Sequence, residues 1–380
     1  MSLLLSGVTF AGVLLLAAVP GVVRGDAWAP LLGRPLPDPY VFGDEGYYYI
    51  TGTAPYGYCG TKLDPEVLQP FAIAIDFGDL GGPYQHWGFK YYRHADGAYH
   101  AYATVHFGGF VTAVAHLTPG AGAAWRPGAP ITAWRVDRLL VGDRHGERGL
   151  AYDAEFLRDT DGQFYLLYNF SEARHSDVHI MAQRMLDPAT PDPSFRPRRI
   201  LSPEGYRSED RNPGYIQIVE ATNVARVQGT HVLLYSVGDF MLHEGRSNYK
   251  LGVAFSDTLI PPEGEAYAKA LAPDRAGVWG PQDKGGQEVC YLLQSQHAAW
   301  RNYCAGQVIG PGLGNIVEAD GQHWLVFHGY RPGEREDGPH ERYAWKLPLR
   351  IEVRPGTPRC EWIRPVLPGA AGTARGNTAH

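Results

Sequence analysis

Charge is scarce in this chain: 19% of its 380 residues are Asp, Glu, Lys or Arg, and 40 acids against 34 bases leave a formal net charge of −6. That balance offers no attraction to a phosphate backbone, and the one dense basic stretch is Arg196 to Arg199, so nucleic acid is not an expected partner. Cysteine is sparse too. The four residues Cys59, Cys290, Cys304 and Cys360 form no Cys-x-x-Cys pair, which argues against zinc and thioredoxin-like chemistry. They agree with an oxidising compartment, and both a bridge between Cys290 and Cys304 and a set of buried free thiols remain open. Beyond the N-terminus no apolar run is long enough to cross a bilayer. The N-terminus itself carries an almost wholly apolar run from Leu3 to Val19, followed by Gly21 to Gly25, with no Lys or Arg before it. Residues 1–25 are expected to be a secretory signal cleaved near Gly25, which would make the mature protein extracellular; an anchor helix is the alternative.

What the chain has in quantity is glycine (47), proline (30) and aromatic residues (12%). Such a composition favours short strands joined by many turns over long amphipathic helices, so an all-β fold is expected. Turn-bounded aromatic strands recur in five units: Tyr47 to Thr53; Gly97 to Thr104 with Val111 to His116; Phe164 to Tyr168 with Val178 to Arg184; Val232 to Ser236 with Tyr249 to Ser256; and His323 to His328 with Trp345 to Val353. Most follow one order, an Asp-Gly or Gln-Gly turn, an aromatic strand and a return strand, which is the expected mark of a four-stranded propeller blade. Residues 26–368 are expected to form one propeller domain, with 369–380 a fraying tail. The Pro-, Gly- and charge-rich inserts Asp187 to Arg199 and Pro261 to Gly286 are expected as loops around the channel mouth. Asn169-Phe170-Ser171 matches a glycosylation sequon directly after an apolar strand.

Three units are preceded by an acid in a similar setting: Asp38-Pro39-Tyr40, Asp153-Ala154-Glu155 and Glu220-Ala221-Thr222, whereas a fourth such segment, Asn315 to His328, lacks one. Radial repetition would aim these three carboxylates at one axis. Glycoside hydrolysis needs an acid for the leaving oxygen and a carboxylate that activates water or attacks carbon, and a third carboxylate can hold up the acid's proton affinity. Asp159 and Glu155 compete locally with Asp153, and Glu244 with Glu220; Asp38-Pro39 on its own is an ordinary turn. Trp87 suits the apolar face of a sugar or a buried core site.

The ordered set resembles glycoside hydrolase family 43. The resemblance rests on Pro37-Asp38-Pro39 before Tyr47 to Thr53, Tyr152-Asp153-Ala154 before Phe164 to Tyr168, Val219-Glu220-Ala221 before Leu233 to Ser236, Tyr249 to Asp257, and Gly310-Pro311-Gly312 through Trp324 to His328. It covers roughly residues 35 to 353. It implies a five-bladed β-propeller and an inverting mechanism on plant-type polysaccharides such as arabinan, xylan, arabinoxylan or galactan. Asp38 would be the general base, Glu220 the general acid and Asp153 the residue that tunes and orients the acid. His328, followed by Gly329, Tyr330 and Arg331, resembles the family's strand-end histidine near the sugar, with core packing as its competing role, and Trp87, His328 and Arg331 are the candidate substrate-binding residues. Family members commonly carry a histidine after the Gly-Pro-Gly turn that helps hold a calcium or water-filled centre. Leu313-Gly314-Asn315 stands there instead, so no cofactor is expected and a calcium ion is doubtful. A sugar-binding propeller without turnover, or a related five-bladed glycosidase acting on fructans or marine sugars, are the alternatives.

Overall fold

The computed structural model describes residues 28–367 apart from 110, 174–175, 204–216, 273–287, 297–301, 305, 335–340, 355 and 357. The expected signal (1–25), the tail (369–380) and part of the second insert lie outside the described residues. Strands dominate, and among the described residues they assemble into five mainly antiparallel sheets in chain order, with one further two-stranded pair, Leu271–Ala272 and Glu288–Val289. The first blade is built on the strands Tyr40–Asp44, Tyr47–Thr51, Tyr56–Gly60 and Gln69–Ala72. The second uses Gln85–Arg93, Tyr99–Gly108, Val111–Pro119 and Ala133–Gly142, with Ala74–Asp76 added in parallel at its edge. The third begins with Leu150–Arg158, Phe164–Ser171 and His179–Asp187, the fourth with Val219–Val227, Thr230–Val237 and Lys250–Ser256, and the fifth with Ile309–Ala319, Gln322–Tyr330 and Tyr343–Ile351.

The first strand of each blade contacts the first strand of the next, and the fifth returns to the first, so five inner strands ring a central axis. This is a five-bladed β-propeller. Three of the inner hairpins close through Glu45-Gly46, Gln228-Gly229 and Asp320-Gly321, with both central residues at positive φ (47° and 81°, 50° and 88°, 53° and 71°). That is the type I′ geometry whose twist matches paired strands, and it is why glycine follows a polar residue at each of them.

The apolar core is divided into layers between blades. One cluster joins Tyr49 and Cys59 of the first blade to Phe89, Tyr91 and Trp134 of the second. Others join the second to the third through Tyr102 and Phe156, the third to the fourth through Leu167 and Leu233, and the fourth to the fifth through Leu234 and Phe327. The last closes the circle: Leu31, Leu32, Leu36 and Ile50 pack with Val326 and Ala344, and the Leu31 amide donates to the Ala344 carbonyl at 2.7 Å. Because each middle strand is covered on both faces, Leu233-Leu234-Tyr235 and Leu325-Val326-Phe327 are continuously buried and show no alternation. Apolar material is thus used up between the blades, and the axis is left to polar side chains.

Cys290 is disulfide-bonded, but Cys304 is a buried free thiol, as is Cys59. The short Cys290–Cys304 bridge considered from sequence is therefore not made. Among the described residues no helix is long and apolar enough to cross a membrane.

Candidate active site

A bulge at the same height in every inner strand builds the site. In the second blade Trp87 faces Thr104 while Lys90 faces Tyr102, so three steps on the inner strand match two on its neighbour. The same slip occurs between Tyr152 and Glu155, Glu220 and Asn223, and Gly312 and Asn315. In the first blade the Thr53 amide donates to the Pro37 carbonyl at 2.9 Å while Tyr40 faces Thr51, which is the same count. The residue that follows the slip is left-handed in all five: Asp38 (φ 55°), Gly88 (56°), Asp153 (50°), Ala221 (66°) and Leu313 (39°). Bulges re-aim side chains that strict alternation would send elsewhere. Here they turn Asp38 and Asp153 directly, and Glu220 one residue earlier, toward the axis.

A left-handed bulge residue has an amide that its own ladder does not satisfy, and the preceding blade supplies the acceptor. The Gly88 amide donates to Thr53 Oγ1 (2.9 Å), the Asp153 amide to Thr104 Oγ1 (2.8 Å), the Leu313 amide to Ser236 Oγ (2.9 Å) and the Asp38 amide to His328 Nδ1 (3.0 Å). Between the third and fourth blades Thr222 Oγ1 donates to Asn169 Oδ1 (3.2 Å). Thr53, Thr104, Asn169, Ser236 and His328 occupy one register, each opposite the residue just before its own blade's bulge. Asn169 is fully buried in this ring, so the sequon is no surface acceptor in the folded protein.

The structure brings Asp38, Asp153 and Glu220 together, each less than a tenth exposed, and gives them different surroundings. Burial by itself would raise the Asp38 pKa. The Arg342 guanidinium (Nη1 to Oδ1, 3.2 Å) and the Thr53 hydroxyl (to Oδ2, 2.6 Å) outweigh that and hold the carboxyl well below the usual range. Among the described residues Asp153 has no such counter-charge in contact. Burial, then the charges of Asp38 and Glu220, push it up to about 8 against the pull of Lys90 and Arg342. Asn169 Nδ2 reaches its Oδ2 at 3.4 Å. A Cβ on Gly88 would come within 2.7 Å of Asp153 Oδ1, so that glycine serves both the left-handed backbone and the space for the carboxyl.

Glu220 accepts from two tyrosines, Tyr152 at 2.6 Å and Tyr249 at 2.7 Å. Burial raises its pKa, the two hydroxyls oppose that, and Asp38 adds to the rise. Burial and Arg342 lower the His328 pKa to about 4. The ring is thereby kept neutral, as it must be for Nδ1 to accept from the Asp38 amide. His328 stacks on Tyr249 at 5.9 Å between ring centres. A site with one carboxylate held ionised beside two whose proton affinities are raised can both activate a water and protonate a leaving group.

Of the other residues singled out from sequence, Trp87 lies half-buried on the inner strand just before Gly88, stacked on His106 at 4.4 Å. Arg331 lies over the Tyr343 ring at 3.7 Å. The arginine that meets Asp38 is Arg342, which sequence reasoning did not single out and which belongs to no motif. Glu155 lies on the axis, Asp159 near His231 Nε2 (3.9 Å), and Glu244 in an exposed turn. Tyr152, Tyr249 and the polar ring were missed as well. The ring had a signal: each aromatic strand ends in a polar residue, Thr53, Thr104, Asn169, Ser236 or His328.

No family model matches the sequence, and no curated protein matches it. Solved structures do. An α-L-arabinofuranosidase from Lactobacillus brevis shares 18% identity over 87% of this chain and 94% of its own, with a TM-score of 0.63. An α-L-arabinanase from Cellvibrio cellulosa, solved with arabinohexaose, shares 18% over 87% and 95%, with a TM-score of 0.60. A thermostable family-43 glycoside hydrolase shares 17% over 88% and 93%, with a TM-score of 0.59. Arabinanases, an arabinofuranosidase and a xylanase are thus among the proteins whose fold is similar, and the expected propeller is the fold they share.

Proposed function

We propose that the protein is a secreted inverting glycoside hydrolase acting on plant-type polysaccharides or oligosaccharides, with arabinan the first substrate to test and xylan, arabinoxylan and galactan next. One observation carries the reading: three buried carboxylates, brought by bulges in three different blades to one axis, are split into Asp38, whose pKa is lowered, and Asp153 and Glu220, whose pKa values are raised. In this reading Asp38 takes a proton from the water that attacks the anomeric carbon. Glu220 protonates the departing oxygen, and its two tyrosines, whose hydroxyls can accept as well as donate, hold the carboxyl in place in either protonation state. Asp153, with its own proton affinity raised, orients the acid, while burial and the charge of Asp38 raise the proton affinity of Glu220. Inversion calls for roughly 6.5–9.5 Å between base and acid carboxyls, room for that water. Trp87 and Arg331 are assigned to the sugar; His328, expected near the sugar, is fully buried and acts instead through its hold on Asp38.

The fold likeness, including a neighbour solved with arabinohexaose, supports this substrate class. Sugar release from arabinan, xylan, arabinoxylan and galactan, with a fructan and an algal glycan added, is the test. Hydrolysis with inverted product is expected on one of the first four. Binding without release in wild-type protein would establish the silent sugar-binding propeller instead, and release from only the last two would move the substrate class.

A calcium centre does not fit the residues present. The tier beneath the carboxylates already holds the basic side chain of Lys90, whose Nζ donates to the Thr222 carbonyl. The proposed mechanism is therefore metal-independent.

A further inference from the structure

Two residues beyond each left-handed position, the five inner strands contribute Tyr40, Lys90, Glu155, Asn223 and Asn315. All but Tyr40 are nearly or fully buried, and they knit into a second tier below the carboxylates. Asn223 Nδ2 donates to Glu155 Oε1 (3.1 Å) and to Asn315 Oδ1 (3.3 Å), the Val224 amide donates to Glu155 Oε2 (3.0 Å), and Asn315 Nδ2 donates to the Pro39 carbonyl. These bonds run round the axis from the third blade through the fourth and fifth to the first. Lys90 does something different. It starts on the second blade, and its Nζ donates to the Thr222 carbonyl of the fourth at 2.9 Å. Those blades are not neighbours, so the side chain has to cross the channel. It passes the Tyr40 ring of the first blade, 5.3 Å from Nζ to the ring centre.

A buried ammonium is costly unless acids face it: burial lowers the Lys90 pKa, and Glu155, Asp153 and Asp38, in that order, oppose the fall. Four acids, Asp38, Asp153, Glu155 and Glu220, crowd this axis with two basic side chains, Arg342 and Lys90, and a neutral His328. Arg342 is spent on Asp38. Glu155 depends on Lys90: burial lifts it to about 7, against the ammonium and the donors from Val224 and Asn223.

We propose that Lys90 is a positioning residue of the active site, a covalently attached cation that stands on the propeller axis in place of a bound metal ion and sets the charge of the carboxylates above it. This rests on the hydrolase reading for its kinetic consequences only. The ammonium opposes the rise that burial gives Glu155, and Glu155 in turn orders Asn223 and the bulge that carries Glu220. Its field also limits how far Asp153 can rise. A divalent ion at this height would meet a like charge, so calcium has no place to go.

Lys90→Met, which keeps the stem and removes the charge, is the test, with Lys90→Met/Glu155→Gln as the companion that removes both members of the buried pair. In Lys90→Met we expect kcat to fall roughly 10- to 100-fold with KM within about threefold. The whole pH–kcat/KM profile should move alkaline by about one unit, because carboxylates that lose a cation neighbour hold protons to higher pH. The groups that could respond are Asp38, Asp153, Glu155, Glu220 and Arg342, with His328, Tyr40, Tyr152 and Tyr249 around them. The double variant should regain most of the lost melting temperature and keep the alkaline shift. A wild-type profile in Lys90→Met, or return of both stability and profile in the double variant, would overturn the proposal and leave Lys90 a structural plug. So would chelator-sensitive activity or a calcium-dependent melting temperature in wild-type protein. If wild-type protein hydrolyses none of the glycans, the hydrolase reading fails alone. Infrared titration of the buried carboxyls in ligand-free protein then decides on Lys90, an upward move in Lys90→Met supporting it and no move defeating it.

Discussion

The first and third blades present the same residue on the same piece of backbone and obtain opposite results. Asp38 and Asp153 both sit at a left-handed bulge (φ 55° and 50°), and each amide donates to a side chain from the preceding blade. What differs is the company. Asp38 meets a guanidinium, an imidazole and a hydroxyl, whereas Asp153 meets an amide group and the fields of two other acids. The repeat fixes where a carboxyl points; the non-repeating neighbours decide whether it is charged. A propeller therefore needs only one site of departure from symmetry to turn a ring of equivalent positions into a base, an acid and a modulator.

Removing the charged end of that contrast should have the largest effect. Asp38→Asn and Glu220→Gln are expected to lower kcat on natural substrates by about 10²–10⁴-fold or more. Glu220→Gln should retain far more on an activated aryl glycoside, which needs little protonation, and equal losses on both substrates would remove Glu220 from the acid role. Arg342→Met makes Asp38 resemble Asp153, since burial and the neighbouring acids then go unopposed. The acidic limb of its kcat/KM profile should move to higher pH, with kcat/KM at pH 5 down by about 100-fold; an unmoved limb would show that Arg342 does not govern the base.

The reverse change tests Asp153. Its folded pKa is raised, so its contribution to stability is fully present below the carboxylate's ordinary pKa and is lost as pH rises toward about 8. Asp153→Asn, which mimics the protonated form, should match wild-type melting near pH 4 and gain on it progressively up to pH 8, by roughly 2–4 °C for each kcal/mol. A constant difference across that range would mean that Asp153 is not the group that titrates. Asp38 behaves oppositely: its lowered pKa gives stability that is present above the ordinary carboxylate pKa and is lost only as pH falls below it. The smallest effect belongs to the amide ring. Ser236→Ala leaves the buried Leu313 amide without its acceptor, a loss of about 1–3 kcal/mol read by denaturant unfolding, while changing activity only a few-fold.

Most of the architecture was legible before any coordinates, because apolar strand content and turn chemistry are local. The five aromatic units coincide with the second and third strands of the blades, and Asp-Gly and Gln-Gly mark inner hairpins at Asp320-Gly321 and Gln228-Gly229. Asp38, Asp153 and Glu220 were legible for a related reason, since each directly precedes such a unit. The bulge itself was hidden. A slip of one residue in a register is a relation between two strands, and Leu313 or Ala221 in left-handed conformation has no signature of its own in sequence. Asn169 was misleading for the same reason, since a sequon pattern carries no information on burial.

Local composition and repeated turn chemistry thus decided the all-β class, the number of blades and which acids lie near the axis, because strands and hairpins form from residues close in the chain. The charge of each acid was decided only when the chain closed on itself. Arg342 lies 304 positions from Asp38, His328 belongs to the fifth blade, and Lys90 crosses to Thr222 of the fourth. Electrostatic interaction depends on distance in space and on the exclusion of water, and neither exists until the fifth blade packs against the first.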